Sequence, residues 1–451
     1  MSPEMTNEFL DGLTTFLRIP SVSTLPEHKP DIRRAAEFCL NELRHAGMTS
    51  AELIEDTAGR HPLVYAEWLN APGKPTILFY GHYDVQPPDP LDEWITPPFE
   101  PTIRGDNLYA RGAADDKGQV YMLVKAIGSM LQTSGKLPVN VKFLIEGEEE
   151  SGGDHLSDYV ASKPPRLSAD AAVICDTEMF APELPTICVG LRGIVYGELH
   201  VEGANHDLHS GVYGGAAPNP LQAIAEILCA LKDRDGHILI PGFYDRVSPP
   251  TAKEREAWAR LPFDEAAYTQ QEMGARALVG EPDIPLFDRL WARPTLEVHG
   301  IRGGFTGEGA KTVIPARAVA KLSARLVADQ DPDESAAQIR EAVRSACPKG
   351  VSAEFRVSHA AAPSLVDPDN RYIRDAAEAM KQVFGNDTVY TRSGGSIPIV
   401  GLFDKHLGIP SVMMGFGLPD DNIHAPNEKM YLPNLFRGVD AVKRYLEILG
   451  A

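Results

Sequence analysis

The chain has 451 residues, more than one ordinary hydrophobic core serves, so two domains are the first expectation. Hydrophobic residues make up 43% and charged residues 24%, a globular balance, and no apolar run approaches the length that crosses a bilayer. The net charge of −20, from 43 basic and 63 acidic residues, makes nucleic acid and anionic membrane surfaces poor partners.

The N-terminal segment MSPEMTNEFLDGLTTFL is acidic and lacks a basic stretch before an apolar one, so it does not read as a signal peptide; a cytoplasmic location is expected. Residues 4–18 and 31–46 carry apolar side chains at helical spacing. The run PTILFYGH (75–82) is short and almost wholly apolar, as a buried parallel strand is. A helix is predicted for 117–131, then two further buried strands, VNVKFLIEG (139–147) and DAAVICD (170–176). Such alternation predicts an α/β sheet with helices on both faces. From about residue 190 the texture changes: LRGIVYGELHVEG (191–203) alternates like a half-exposed strand, and a helix fits 219–232. The stretch 233–293 reads as irregular with a short helical piece. Strands at 294–300 and 312–327, a helix at 332–345 and a strand at 351–359 complete a β-α-β-β-α-β order, that of a ferredoxin-like sandwich. The α/β pattern resumes with a helix at 369–384, a strand at 409–417 and a closing helix at 433–449. Residues 1–190 plus 364–451 are therefore expected to form one discontinuous domain, with 191–363 inserted as a second.

The acids and histidines fall into a pattern. His82 and Asp84 end one predicted strand, Glu148, Glu149 and Glu150 follow the next, Asp176 ends another, and His424 and Glu428 follow the last. In open α/β sheets ligands bind beyond the carboxyl ends of the strands, so these segments deliver their side chains to one edge. A nitrogen-and-oxygen set without thiolates suits zinc, manganese or cobalt, and a pair of ions needs about five protein ligands. Asp115, in YARGAADDKG, is the candidate bridge, because Gly112, Ala113 and Ala114 allow close backbone approach, with Asp116 behind it. One of these aspartates could instead cap the following helix. His82-x-Asp84 offers an imidazole and a carboxylate to hold its other ring nitrogen. The acids of EGEEESGG repel one another: alone the run can also be read as a solvated turn, and beside a pair of cations that offset the repulsion one glutamate becomes a ligand and its neighbour a general base. The five cysteines are scattered and form no C-x-x-C pair; Cys175 lies in the apolar run AAVIC and reads as a buried strand residue.

The motifs GHYDVQP, YARGAADDKG, EGEEESGG, ICDTE, DLHSGVYGG, GAKTVIP, TRSGGSIP and NIHAPNE, in this order, resemble the carnosinase-like, cytosolic non-specific dipeptidase branch of the metallo-aminopeptidase, aminoacylase and carboxypeptidase superfamily. The resemblance runs from near residue 10 to the C-terminus. It implies a zinc-peptidase-like α/β/α catalytic domain with an inserted ferredoxin-like lid and dimerisation domain. It implies two divalent ions per subunit, with zinc first and manganese or cobalt as substitutes. His82 and Asp176 then hold one ion, Glu150 and His424 the other, and Asp115 bridges them across a cis Asp115–Asp116 peptide. Glu149 becomes the general base and Asp84 the residue that orients His82, while Glu148 has no assigned role. His209 reaches the neighbouring subunit's site and stabilises the oxyanion, so a homodimer is implied. Arg325, Thr312, Arg392, Gly395 and Ser396 resemble the residues that hold the C-terminal carboxylate of a small peptide. The implied reaction is hydrolysis of dipeptides or short peptides by water that Glu149 activates. Two rivals stand beside it: an N-acyl- or N-carbamoyl-amino-acid amidohydrolase with the same cage, and a non-catalytic protein on the same fold. The second predicts eroded ligands, whereas all are present here.

Overall fold

A strand of nearly continuous apolar residues must be covered on both faces, and TILFYGH is such a run. In the computed structural model, which describes residues 3–162 and 164–451, it forms the strand Thr76–His82. This strand pairs in parallel with Asn140–Glu146 on one side and Ala171–Ile174 on the other. Ser411–Met413 continues the parallel set beside Ala171–Ile174. Antiparallel strands flank these four, with Leu63–Trp68 and Ser50–Ile54 at one side and Thr186–Leu191 at the other. On one face Ile77, Phe79 and Phe143 pack with residues of the helices Pro3–Leu17, Lys29–His45, Lys117–Ser134, Arg371–Phe384 and Leu432–Gly450. On the other face Tyr80 meets the ring of Phe403 edge-on at 6.0 Å. The expected α/β layering with helices on both faces is what the chain adopts.

The chain divides into two compact units. The first comprises Met1–Val189, Val366–Thr391 and Leu402–Ala451, and the second Gly190–Leu365 with Arg392–Gly401. In the second unit the order Gly193–Glu202, Pro220–Leu231, Thr295–Gly303, Arg317–Leu326, Pro332–Ala346, Ser352–Ala361 is β-α-β-β-α-β. Its sheet runs 295–303, 317–326, 193–202, 352–361, antiparallel throughout, which is the ferredoxin-like arrangement. Every second residue of Gly193–Glu202 is buried, and Val195, Leu199 and Val201 meet Ile224, Ile227, Ile339 and Val343 of the two helices.

Three departures from the sequence expectations have physical causes. The strand expected over 191–203 breaks at Arg192, whose amide leaves the ladder for the Gly395 carbonyl at 3.0 Å. The strand expected over 409–417 is only Ser411–Met413, because the chain presses Gly415 against the Thr177 carbonyl, where a Cβ would stand 1.7 Å away. The stretch 233–293 is more ordered than its composition suggests. The helix Ala252–Trp258 begins with a Thr251–Glu254 capping box, and Trp258, Phe263, Phe287 and Trp291 form a ring cluster around it.

Candidate metal centre

The first unit gathers its chemistry where the parallel strands end. His82 is the last residue of its strand and is fully buried. Its Nδ1 lies 3.1 Å from the Asp84 carbonyl and 3.4 Å from Asp84 Oδ1. That leaves Nε2 facing Asp115 Oδ1 at 3.0 Å and Asp176 Oδ2 at 3.8 Å. On the other side of Asp115, Oδ2 lies 2.9 Å from His424 Nε2, which is also 3.3 Å from Glu150 Oε2. Two sets of donor atoms result, His82–Asp115–Asp176 and Asp115–Glu150–His424, each within 4.8 Å of one another and sharing Asp115.

Each segment is held for this. The Asp115–Asp116 peptide is cis, as the resemblance implied. Asp116 occupies the N-cap of Lys117–Ser134 but makes no side-chain cap; its Oδ2 accepts instead from the His82 amide at 3.2 Å. The capping alternative for this pair is thereby removed. Gly112 has φ +85°, and a Cβ there would meet Val85 Cγ1 at 2.7 Å, so the loop that carries Asp115 needs glycine at this position. His424 itself has φ +61°, and its loop is tied down by Asn427, which bonds the Ile95 amide and the Glu93 carbonyl at 2.8 Å each.

Charge shows what this cluster suits. Burial, then repulsion from Asp115, pushes the Asp176 carboxyl up to about 7. Burial and the neighbouring Asp176, Glu150 and Asp115 raise Glu149 well above the carboxylate range, with His82 opposing. Hydrogen bonds to Asp115 and Glu150 lift His424 to about 10. Burial lowers the His82 pKa, but Asp115 and Asp84 outweigh it and raise the group overall. Carboxylates that drive each other to protonate and imidazoles that recruit protons mark a site short of positive charge. A nitrogen–oxygen donor set with this deficit fits a pair of divalent cations.

The structure adds residues to which the sequence reading gave no role. Gln86, inside GHYDVQP, donates to Glu150 Oε2 at 2.7 Å and orients that carboxylate. Asp84 serves two partners, since its Oδ2 also accepts from the Glu150 amide at 3.1 Å. Glu148 braces the loop: its Oε1 accepts from the His61 amide at 2.8 Å. Glu428 is the largest addition. Fully buried, it accepts from Arg111 Nη1 at 2.8 Å and from the amides of Gly112, Ala114 and Asp115 at 3.0, 3.0 and 3.1 Å. Glu428→Ala strands a buried guanidinium and three amides, so a loss of about 3–5 kcal/mol is expected. Chemical denaturation measures this loss, and metal content should fall with it because the Asp115 loop loses its anchor.

In the second unit, His209 is exposed at the N-cap of Ser210–Tyr213, and its Nδ1 accepts from the Gly211 amide at 2.9 Å. Its strand pairs with Val313, next to Thr312, whose carbonyl accepts from Ser210 at 3.1 Å. Arg325 Nη1 donates to Ser396 Oγ at 2.9 Å. Arg392 is differently placed: Glu254 Oε1 takes its Nε at 3.0 Å and also its Nη2, and Trp258 lies under it at 5.7 Å. Its guanidinium is occupied by protein. Gly395 gives its carbonyl to Arg192 and its amide to Ser393 Oγ. Cys175 is buried and free, and burial pushes its thiol up, away from a thiolate ligand.

Known proteins share this architecture. The Cys-Gly metallodipeptidase DUG1 of Candida albicans is 34% identical over 99% of this chain and 96% of its own length. The crystal structure of human carnosine dipeptidase 1 is 30% identical, with a TM-score of 0.85 over 98% of this chain and 96% of that one. The metallo-carboxypeptidase Sso-CP2 of Sulfolobus solfataricus is 33% identical, with a TM-score of 0.86 over 100% of both chains. Residues 78–448 match peptidase family M20/M25/M40, and the chain belongs to that family.

Proposed function

We propose that the protein is a metal-dependent dipeptidase that hydrolyses the peptide bond of dipeptides carrying a free C-terminal carboxylate. The observation that carries this reading is the pair of donor sets sharing Asp115, with Glu149 crowded beside them. His82, Asp115 and Asp176 would hold one ion and Asp115, Glu150 and His424 the other. Zinc suits these donors, and manganese or cobalt can replace it. When bound, the ions supply Lewis acidity and make water more acidic. Glu149 takes the proton from the attacking water and returns it to the leaving amine. Asp84 keeps His82 Nδ1 engaged and Nε2 free for the ion.

His209 is assigned to the oxyanion in the neighbouring subunit. Because its Nδ1 accepts from Gly211, its proton lies on Nε2, the tautomer that can donate to an oxyanion. Val212 and Tyr213 beside it are 69% and 47% exposed, and Val298 and Ile301 are exposed on the edge strand 295–303. A second copy would cover such apolar edges, which supports a homodimer formed by the inserted 191–363 domain. Five free cysteines without a disulfide support a cytoplasmic setting. Among the described residues no helix is long and apolar enough to cross a membrane.

Rates of the purified, metal-loaded protein on unblocked dipeptides, longer peptides and N-acyl or N-carbamoyl amino acids test the reading. The highest kcat/KM is expected on dipeptides; faster turnover of the acylated or carbamoylated amino acids would replace it with the amidohydrolase. Mixing inactive Glu149→Gln with inactive His209→Ala chains tests the dimer. Activity should reappear, because one chain's intact base meets the other's histidine; no recovery after confirmed subunit exchange contradicts the shared site.

A further inference from the structure

Arg192 has three ties to the glycine-rich segment 393–396 of its own unit. Its amide donates to the Gly395 carbonyl at 3.0 Å and its Nε to the Gly394 carbonyl at 3.1 Å. The Ser396 hydroxyl in turn donates to the Arg192 carbonyl. A Cβ on Gly394 would lie 2.6 Å from Arg192 Nη2, so the guanidinium rests directly on that glycine. Arg325 reaches the same segment through Ser396 Oγ at 2.9 Å. Its charge is one of the causes, after burial, that hold the Arg192 guanidinium down to about 10, still protonated at neutral pH.

Two neighbouring guanidiniums repel, and an anion bound between them would offset that cost. Among the described residues, neither Arg192 nor Arg325 forms a salt bridge with a carboxylate. Glu297, an acid that acts on Arg192, is bonded to Lys232 at 2.9 Å. Arg392, by contrast, is already neutralised by Glu254.

We propose that Arg192 is the second guanidinium of the substrate-carboxylate site, acting with Arg325, while Arg392 braces the site's loop through Glu254. The proposal rests on the dipeptidase reading and names which cations that reading uses. A carboxylate placed there would accept charge-assisted bonds from the two guanidiniums, while Ser396 holds Arg325 and the Arg192 carbonyl in place.

Steady-state kinetics of Arg192→Gln and Arg192→Lys on a dipeptide and on its C-terminal amide test it. For Arg192→Gln, KM on the free dipeptide should rise about 10- to 100-fold, the usual worth of one charged hydrogen-bond partner, with kcat less affected. The amide, which offers no carboxylate, should keep its kcat/KM. Arg192→Lys retains the charge without the planar fork, so an intermediate rise confined to the free dipeptide is expected; it carries the test if the glutamine variant does not fold. Equal losses on dipeptide and amide would make Arg192 a structural brace and overturn the proposal, as would a lysine variant equal to wild type. Wild-type protein inactive on both substrates refutes the dipeptidase reading itself, before any variant is compared.

Discussion

Replacing Glu149 with glutamine is expected to lower kcat by about 10²–10⁴-fold, the usual contribution of a positioned general base. Glutamine keeps the size of the side chain and removes its ability to accept a proton at neutral pH. Glu149 belongs to neither donor set, so metal content should stay at the wild-type level. Burial and three neighbouring carboxylates raise its pKa, which makes it a stronger acceptor for the proton of the attacking water. Its neighbour supplies the control. Glu148 holds the His61 amide at 2.8 Å, and glutamine still offers an oxygen there, so Glu148→Gln should retain turnover. Rate and metal content measured together decide the assignment. A metal-replete Glu149→Gln protein with wild-type kcat would remove Glu149 from the base role.

Asp115→Ala is expected to remove both ions and all activity, because Asp115 is the one residue common to the two donor sets. Asp176→Ala should weaken only the ion shared by His82 and Asp115. Chelation of the wild-type protein should also abolish turnover and lower stability. At free-ion concentrations a thousandfold above Kd, each bound ion adds about 4 kcal/mol to the native state. Thermal melts with and without chelator, and recovery on adding back zinc, manganese or cobalt, measure this. An Asp115→Ala protein that keeps both ions would contradict the shared-ligand assignment.

The buried parallel strands were the most legible elements, for a physical reason. Strands covered on both faces become continuous apolar runs, and Thr76–His82 and Asn140–Glu146 fall within one residue of the ranges expected from sequence. Helices with one apolar stripe were equally clear, and Lys117–Ser134 begins where expected. Short strands held by tertiary contacts were not legible. Thr102–Arg104, Asn107–Tyr109 and Lys429–Tyr431 are three residues each, too short to show alternation, and the last pairs with Asn107–Tyr109 across more than 300 positions. The acids and histidines at the strand ends were visible as a cluster; the resemblance, not spacing, separated Glu149 from Glu150.

Some partners lay beyond any sequence pattern. Glu428 looks like a loop carboxylate until the fold brings the Asp115 backbone onto it. Arg392 sits in a motif that suggests anion binding, yet Glu254 of the distant capping box claims its guanidinium. Arg192 fell inside an apparently continuous strand, and only the break there shows what its side chain does. Such pairings depend on which loops meet, and local periodicity carries no record of that.

Anomalous diffraction from crystals of the metal-loaded protein tests the central claim most directly. Two metal peaks per chain are expected, with Asp115 touching both, His82 and Asp176 on one, and Glu150 and His424 on the other. A single peak, or a pair in which Asp115 touches only one ion, would contradict it.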